Sequence, residues 1–143
     1  MEKSLNQLLA DFVAVYHKLQ NFHWYVEGKD FFTAHAKLEE LYDHINDGVD
    51  EIAETILMIE GKPLGSMKSF LNQTKIEEAS EKAISSKEIY KSVLNDFEYL
   101  LQEVKDIKKE ADENNLYVVS VLMDDFIKEF TKSIWMISKT VKA

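Results

Sequence analysis

Five side chains set the chemistry this chain can attempt: His23, His35, Glu39, Asp50 and Glu54. Imidazole and carboxylate are metal ligands, and to share an ion they must lie within about 2.0–2.6 Å of it. Four of the five fall in one amphipathic segment, Phe31 to Glu60. At about 1.5 Å rise per residue, His35 and Asp50 stand roughly 22 Å apart along such a helix. Either the residues are unrelated, or two chains bring opposite ends of the same helix together and association becomes part of the chemistry. Mixed imidazole and carboxylate ligation suits iron, manganese or zinc and disfavours copper(I).

The elements that must position these residues are helices. The chain has 143 residues with only one Pro and four Gly, and 45% of it is apolar. That describes a single all-α domain over residues 1–143, with enough apolar surface for a core. Leu5, Leu8, Leu9, Phe12, Val15, Tyr16, Leu19, Phe22 and Val26 form the stripe of a first helix, about Lys3 to Val26. Gly28-Lys29-Asp30 breaks it, with Asp30 expected as the next N-cap. The second helix buries Leu38, Leu41, Ile45, Val49, Ile52, Ile56 and Ile59, and ends at Gly61 with Pro63 beyond.

Residues 62–84 are too long for a turn between neighbours, and Met67 to Asn72 fit a short helix capped by Ser66. Ser85 followed by Glu88 reads as a capping box opening a third long helix, with Ile89, Val93, Phe97, Leu100, Leu101, Val104 and Ile107 inside. Asn114-Asn115 breaks it before a fourth, about Leu116 to Val141. Four long helices with one long middle connection describe a ferritin-like bundle with a crossover.

On a helical wheel with Leu38 at zero, His35, Glu39, Asp50 and Glu54 fall at about 60°, 100°, 120° and 160°. They share one shoulder of the second helix, where a second subunit would pack. The plainer reading is a solvated acidic face, since Glu40, Asp43, Asp47 and Glu51 are acidic too. His23 adds weight to the metal reading. A tight turn after the first helix brings it beside His35, flanked by Glu39. His17 and His44 lie off the shoulder and read as surface or packing residues. Trp24 is by default a packing residue, and beside a redox metal it would be an electron donor.

Composition narrows the partners. A formal charge of −9 and a single basic residue, Lys3, in the first ten argue against nucleic-acid binding. No apolar run approaches the ~20 residues of a membrane span. The lack of cysteine fits a reducing cytoplasm. There is no Glu-x-x-His pair, no His-Glu-x-x-His, no phosphate loop and no nucleophile elbow, so conventional nucleophilic catalysis is not indicated.

His23-Trp24-Tyr25-Val26-Glu27-Gly28, Phe31-Phe32-Thr33-Ala34-His35 and Asp50-Glu51-Ile52-Ala53-Glu54 resemble the Dps family of mini-ferritins. Its pattern is H-W-x-x-x-G, F-F-x-x-H and D-E-x-A-E at these separations. Gly61-Lys62-Pro63-Leu64 and Ile134-Trp135-Met136 fit as well, so the resemblance spans nearly the whole chain. It implies a hollow homododecamer with ferroxidase centres at two-fold interfaces. His23 and His35 would come from one subunit, Asp50 and Glu54 from its partner, and Glu39 would complete the metal set. It further implies oxidation of Fe(II), preferably by hydrogen peroxide, at about two irons per centre, with Zn or Mn able to substitute, and storage of ferric mineral. Trp24 matches the aromatic beside the centre in many members. The alternative is a non-enzymatic shell that sequesters metal or protects the nucleoid.

Three departures from the pattern stand out. Glu39 occupies a position that is Asp in many members. Tyr117 and Val121 align where acidic residues line the family's three-fold pores, leaving Asp112, Glu113, Asp124 or Asp125 as substitutes. The Lys-rich tail of DNA-binding members is missing, so no direct DNA binding is expected.

Overall fold

A computed structural model describes residues 1–142. The order is α1 (Glu2–Tyr25), β1 (Val26–Glu27), α2 (Phe31–Met58), α3 (Met67–Gln73), β2 (Ile84–Ser85), α4 (Ser86–Glu113) and α5 (Tyr117–Lys142). Helix α1 packs along α2 and α4 along α5, while α3 lies against α1 within the long crossover. The apolar stripes meet in one core, with Phe12, Leu38, Ile52, Phe97, Leu100 and Met123 almost completely buried. This is the ferritin-like architecture expected from the periodicity.

The local signals act as expected at most helix ends. Ser66 Oγ accepts the Ser69 N–H at 3.1 Å and Ser85 Oγ accepts that of Glu88 at 3.3 Å. Two ends differ. Asp30 occupies the N-cap position of α2, but its side chain caps nothing. Its carboxylate instead accepts the Ser86 hydroxyl at 2.6 Å and so ties the α1–α2 turn to the start of α4. At the other end of α2, Glu60 rather than Gly61 takes the left-handed conformation, with φ 63°. Gly61 N–H bonds to the Ile56 carbonyl at 2.8 Å and Glu60 N–H to that of Leu57 at 3.0 Å, a Schellman closure. Space at Gly61 is tight, since a Cβ there would lie 3.0 Å from Ile56 Cγ2 and 2.7 Å from Oε1 of the exposed, movable Glu2 side chain. That carboxylate accepts the Lys62 N–H at 2.7 Å.

Besides the packing of α3 on α1, a short strand pair and a buried carboxylate help to hold the crossover. Val26–Glu27 pairs in parallel with Ile84–Ser85, a two-residue bridge between the ends of distant segments. Midway along the crossover, just after α3, the buried Asp11 carboxylate accepts Thr74 Oγ1 at 2.7 Å and Lys75 N at 2.9 Å, and it also accepts the Tyr99 hydroxyl of α4 at 2.8 Å. Beside it, burial and then the charge of Asp11 push the Glu103 carboxyl up to about 9, so Glu103 keeps its proton at neutral pH. One aspartate thereby joins α1, the crossover and α4.

Candidate metal centre

His23 closes α1 and His35 lies in the second turn of α2, and the tight turn between them stacks the two rings. Their centroids are 3.6 Å apart and the ring planes 12° from parallel. Each Nδ1 lies 2.7 Å from the other residue's backbone carbonyl, a reciprocal pair of hydrogen bonds. A carbonyl oxygen can only accept, so both Nδ1 atoms carry a proton, and in the neutral imidazole that leaves the lone pair on Nε2. Metal-binding histidines are commonly held this way, with one ring nitrogen anchored by a carbonyl and the other left for the ion. The bond to the His23 carbonyl also satisfies an acceptor in the last turn of α1, which ties the His35 tautomer to the fold itself.

Glu39 lies one turn beyond His35, with Oε1 3.8 Å from His23 Nε2. The distance is beyond a direct hydrogen bond, and the carboxylate is largely exposed. The fold thus brings His23, His35 and Glu39 to one place. Asp50 and Glu54 stand exposed farther along α2, Asp50 in an open groove with Asn46, Asp47, Val49 and Glu51. Among the described residues no three His, Asp or Glu side chains converge as a metal site needs.

Aromatic rings enclose the histidine pair. Phe31 stacks on His35 with centroids 4.9 Å apart, and Tyr42 meets His23 edge-on at 5.3 Å. Tyr16 follows, edge-on to Tyr42 at 5.7 Å. Burial, then the negative charges of Glu39 and Asp43, push the Tyr42 phenol up, while a hydrogen bond from Gln20 opposes them. Tyr42 was absent from the sequence candidates, although it lies two turns from His35 on the same helix face and was discoverable by that spacing. Trp24 points elsewhere: it is 58% exposed and its ring meets that of His17 at 5.9 Å. His17 and His44 are both exposed, and His44 Nδ1 lies 3.5 Å from Glu129.

Large apolar side chains stand uncovered near both parts of the candidate set. Phe32 is 85% exposed beside His35, and Leu57 and Met58 are 59% and 66% exposed just beyond Glu54. A second uncovered group, Tyr117, Val118 and Val121, opens α5. Beside it, Lys108 Nζ pairs with Asp124 at 2.9 Å and with Asp112 at 3.6 Å, so two of the acidic residues near the start of α5 are partly neutralised. Along α2 and α5, Glu51 is pushed up by desolvation and then by Asp125, Asp47, Glu129 and Asp50, the mark of a dense acidic strip.

The Ferritin-like domain family matches residues 2–143. The chain is 38% identical over 133 residues to DNA protection during starvation protein 2 of Bacillus anthracis, covering 93% of this chain and 90% of that protein. It superposes on the crystal structure of a Dps protein from Bacillus brevis with TM-score 0.94 at 36% identity, covering 98% and 93% of the two chains. A Vibrio cholerae Dps structure, described as a member of a broad superfamily of ferritin-like diiron-carboxylate proteins, gives TM-score 0.95 at 33% identity, over 98% of this chain and 87% of that one. No helix among the described residues is long and apolar enough to cross a membrane. The sequence motifs, the bundle with its crossover and these matches agree that the chain belongs to the Dps family of mini-ferritins.

Proposed function

We propose that this protein oxidises Fe(II), preferably with hydrogen peroxide, at centres shared between two subunits, and stores the ferric product inside a homododecameric shell. The reciprocal His23–His35 hydrogen bonds carry this reading. They leave two Nε2 lone pairs beside Glu39 with no ion-completing group from the same chain within reach. Asp50 and Glu54 supply the missing oxygens from a partner in which α2 runs the opposite way. Two imidazoles and three carboxylates form a nitrogen–oxygen donor set suited to iron, with Zn or Mn as substitutes. The uncovered Phe32, Leu57 and Met58 give a second subunit an apolar surface to bury.

Iron here is substrate and cargo. Two Fe(II) held together supply both electrons that peroxide needs to become water, so no hydroxyl radical is released. His23 and His35 bind through Nε2, their Nδ1 atoms fixed by the backbone. Asp50, Glu54 and Glu39 bind iron and offset its charge. The acidic strip along α2 and α5 raises the local cation concentration. Several relatives are named for DNA protection during starvation. In this chain such protection is assigned to removing iron and peroxide in the cytoplasm. Direct DNA contact is not part of the reading, given the net charge of −9. A gel shift at low salt should show no retained duplex, and tight retention would overturn that part.

Complementation tests the shared centre. His23→Ala and Asp50→Ala proteins, each inactive alone, should regain partial peroxide-driven Fe(II) oxidation when co-assembled, because some interfaces recover a full ligand set. No recovery in properly formed mixed shells would refute sharing.

A further inference from the structure

Helix α2 packs on α1 and α5 on α4, and where α2 faces α5 a cavity of about 270 Å³ opens to the surface. Its floor is aromatic. Phe12, Phe97, Phe126 and Phe130 form it, all of them buried, with neighbouring ring centroids 4.9 to 5.8 Å apart and planes 51° to 81° from parallel. Its mouth is charged, with Lys37, Glu40 and His44 from α2 and Glu129 and Lys132 from α5. An apolar floor under a few polar groups is the form that small-molecule sites take, and the volume falls near the lower end of their range, about 300 Å³. An apolar cavity of about 150 Å³ is already enough for benzene.

Most of the mouth charges have partners. Lys37 Nζ lies 3.3 Å from Glu40, and His44 Nδ1 lies 3.5 Å from Glu129. Among the described residues Lys132 enters no ion pair, so the cavity presents one unpaired cation above an aromatic floor. The mouth is also clear of the candidate metal centre. On the wheel with Leu38 at zero, Lys37, Leu41 and His44 fall at about −100°, −60° and −120°. That is the flank of α2 opposite His35, Glu39, Asp50 and Glu54, so a partner that brings Asp50 to His23 packs on the other side.

We propose that this cavity binds a small aryl carboxylate, with its ring among the four phenylalanines and its carboxylate on Lys132, at a site separate from iron oxidation. An aromatic body fits because rings prefer tilted and edge-on partners, the arrangement the floor already has. A single negative end fits because Lys132 is the unpaired charge, while Glu40 and Glu129 repel any second carboxylate. The bound ligand bridges α2 and α5, and a ligand held only by the native chain stabilises it.

Isothermal titration of the whole assembled protein, free of iron, with phenylbutyrate tests the proposal. Saturable binding of one ligand per chain is expected at millimolar concentration, the strength usual for a ligand this small. Lys132→Gln, at an exposed position, should weaken phenylbutyrate about twofold to fivefold, the range of an exposed ion pair, and leave its uncharged counterpart phenylbutanol unchanged. Ser133→Phe, which adds a ring to the cavity wall, should abolish binding of both. No saturable binding by the unmodified protein, or binding that Ser133→Phe leaves intact, would overturn the inference. Equal losses of phenylbutyrate and phenylbutanol in Lys132→Gln would overturn the carboxylate assignment, and tighter binding of octanoate than of phenylbutyrate the aromatic one. None of these readouts depends on iron oxidation, so the outcome is independent of the ferroxidase reading.

Discussion

Helix α1 carries two polar clusters, and they are built to opposite ends. Around Asp11 the chain closes on itself: the carboxylate takes hydrogen bonds from the crossover and from α4, and Glu103 keeps a proton so that two buried acids can coexist. Around His23 the closure stops halfway. Each imidazole uses Nδ1 on the backbone, Nε2 keeps its lone pair, and Glu39 stands 3.8 Å from His23 Nε2. Buried polar groups without partners are costly, and among the described residues around Asp11 only Glu103 Oε1 is left without one. The proposed function places ligands from a second subunit at the open cluster, while the Asp11 cluster ties the crossover to α1 and α4.

The comparison predicts that changes in the open region remove activity without touching the fold. Asp50 is exposed, so Asp50→Ala should alter stability by no more than about 0.5 kcal/mol. Its anaerobic peroxide-driven Fe(II) oxidation should fall by at least about a hundredfold, since even outer-shell partners of metal ligands cost about ten- to a hundredfold. Stopped-flow oxidation and a thermal melt on the same sample separate the two effects. Unchanged oxidation would assign the open cluster to structure and remove the ground for the ferroxidase reading.

The closed region should behave in reverse. Asp11→Ala removes the acceptor of the Thr74 hydroxyl, the Lys75 N–H and the Tyr99 hydroxyl, all in partly buried bonds. At about 1–3 kcal/mol for each unmet group, moderated by water entering the gap, the loss should be about 2 to 3 kcal/mol. Denaturant midpoints measure it, and iron oxidation by the fraction still folded should stay near normal. A stability loss under about 0.5 kcal/mol, the usual range for surface positions, would mean that the crossover is held by its apolar contacts instead.

These two regions also differ in how far the sequence disclosed them. His23, His35 and Glu39 meet through a short turn, so helical spacing alone placed them together. The four long helices, the short helix after Ser66 and the Ser85 cap followed from apolar periodicity and capping chemistry in the same way. Asp11 could not be recognised, because its partners Thr74 and Tyr99 are 63 and 88 residues away and nothing local marks them. The Val26–Ile84 bridge was hidden for the same reason, two residues being too few to show alternation. Asp30 was assigned a capping bond that Ser86 takes instead. Gly61 marks the end of α2 as expected, but the left-handed residue is Glu60 just before it. In the other misses, a contact between distant segments overrode a local preference.

Glu103 sharpens the contrast at the scale of a single proton. Burial and the charge of Asp11 raise its carboxyl from an ordinary 4.5 to about 9. Between those values the native chain holds a proton that the unfolded chain has released, so stability falls as pH rises. The contribution is fully present below 4.5 and is lost as pH climbs through about 9. One proton is worth at most about 1.4 kcal/mol per pH unit, which sets the expected decline from this group at about 1 kcal/mol between pH 7 and 8. The Glu103→Gln variant is neutral throughout and keeps an amide that can donate to Asp11. Its denaturant midpoint should therefore vary less with pH, and its advantage over the unmodified protein should grow from pH 5 to pH 8. Parallel pH profiles for the two proteins would show that Glu103 ionises normally. Asp11 would then tolerate a second charge beside it, and the cluster would owe its stability to the bonds from Gln7, Thr74, Lys75 and Tyr99.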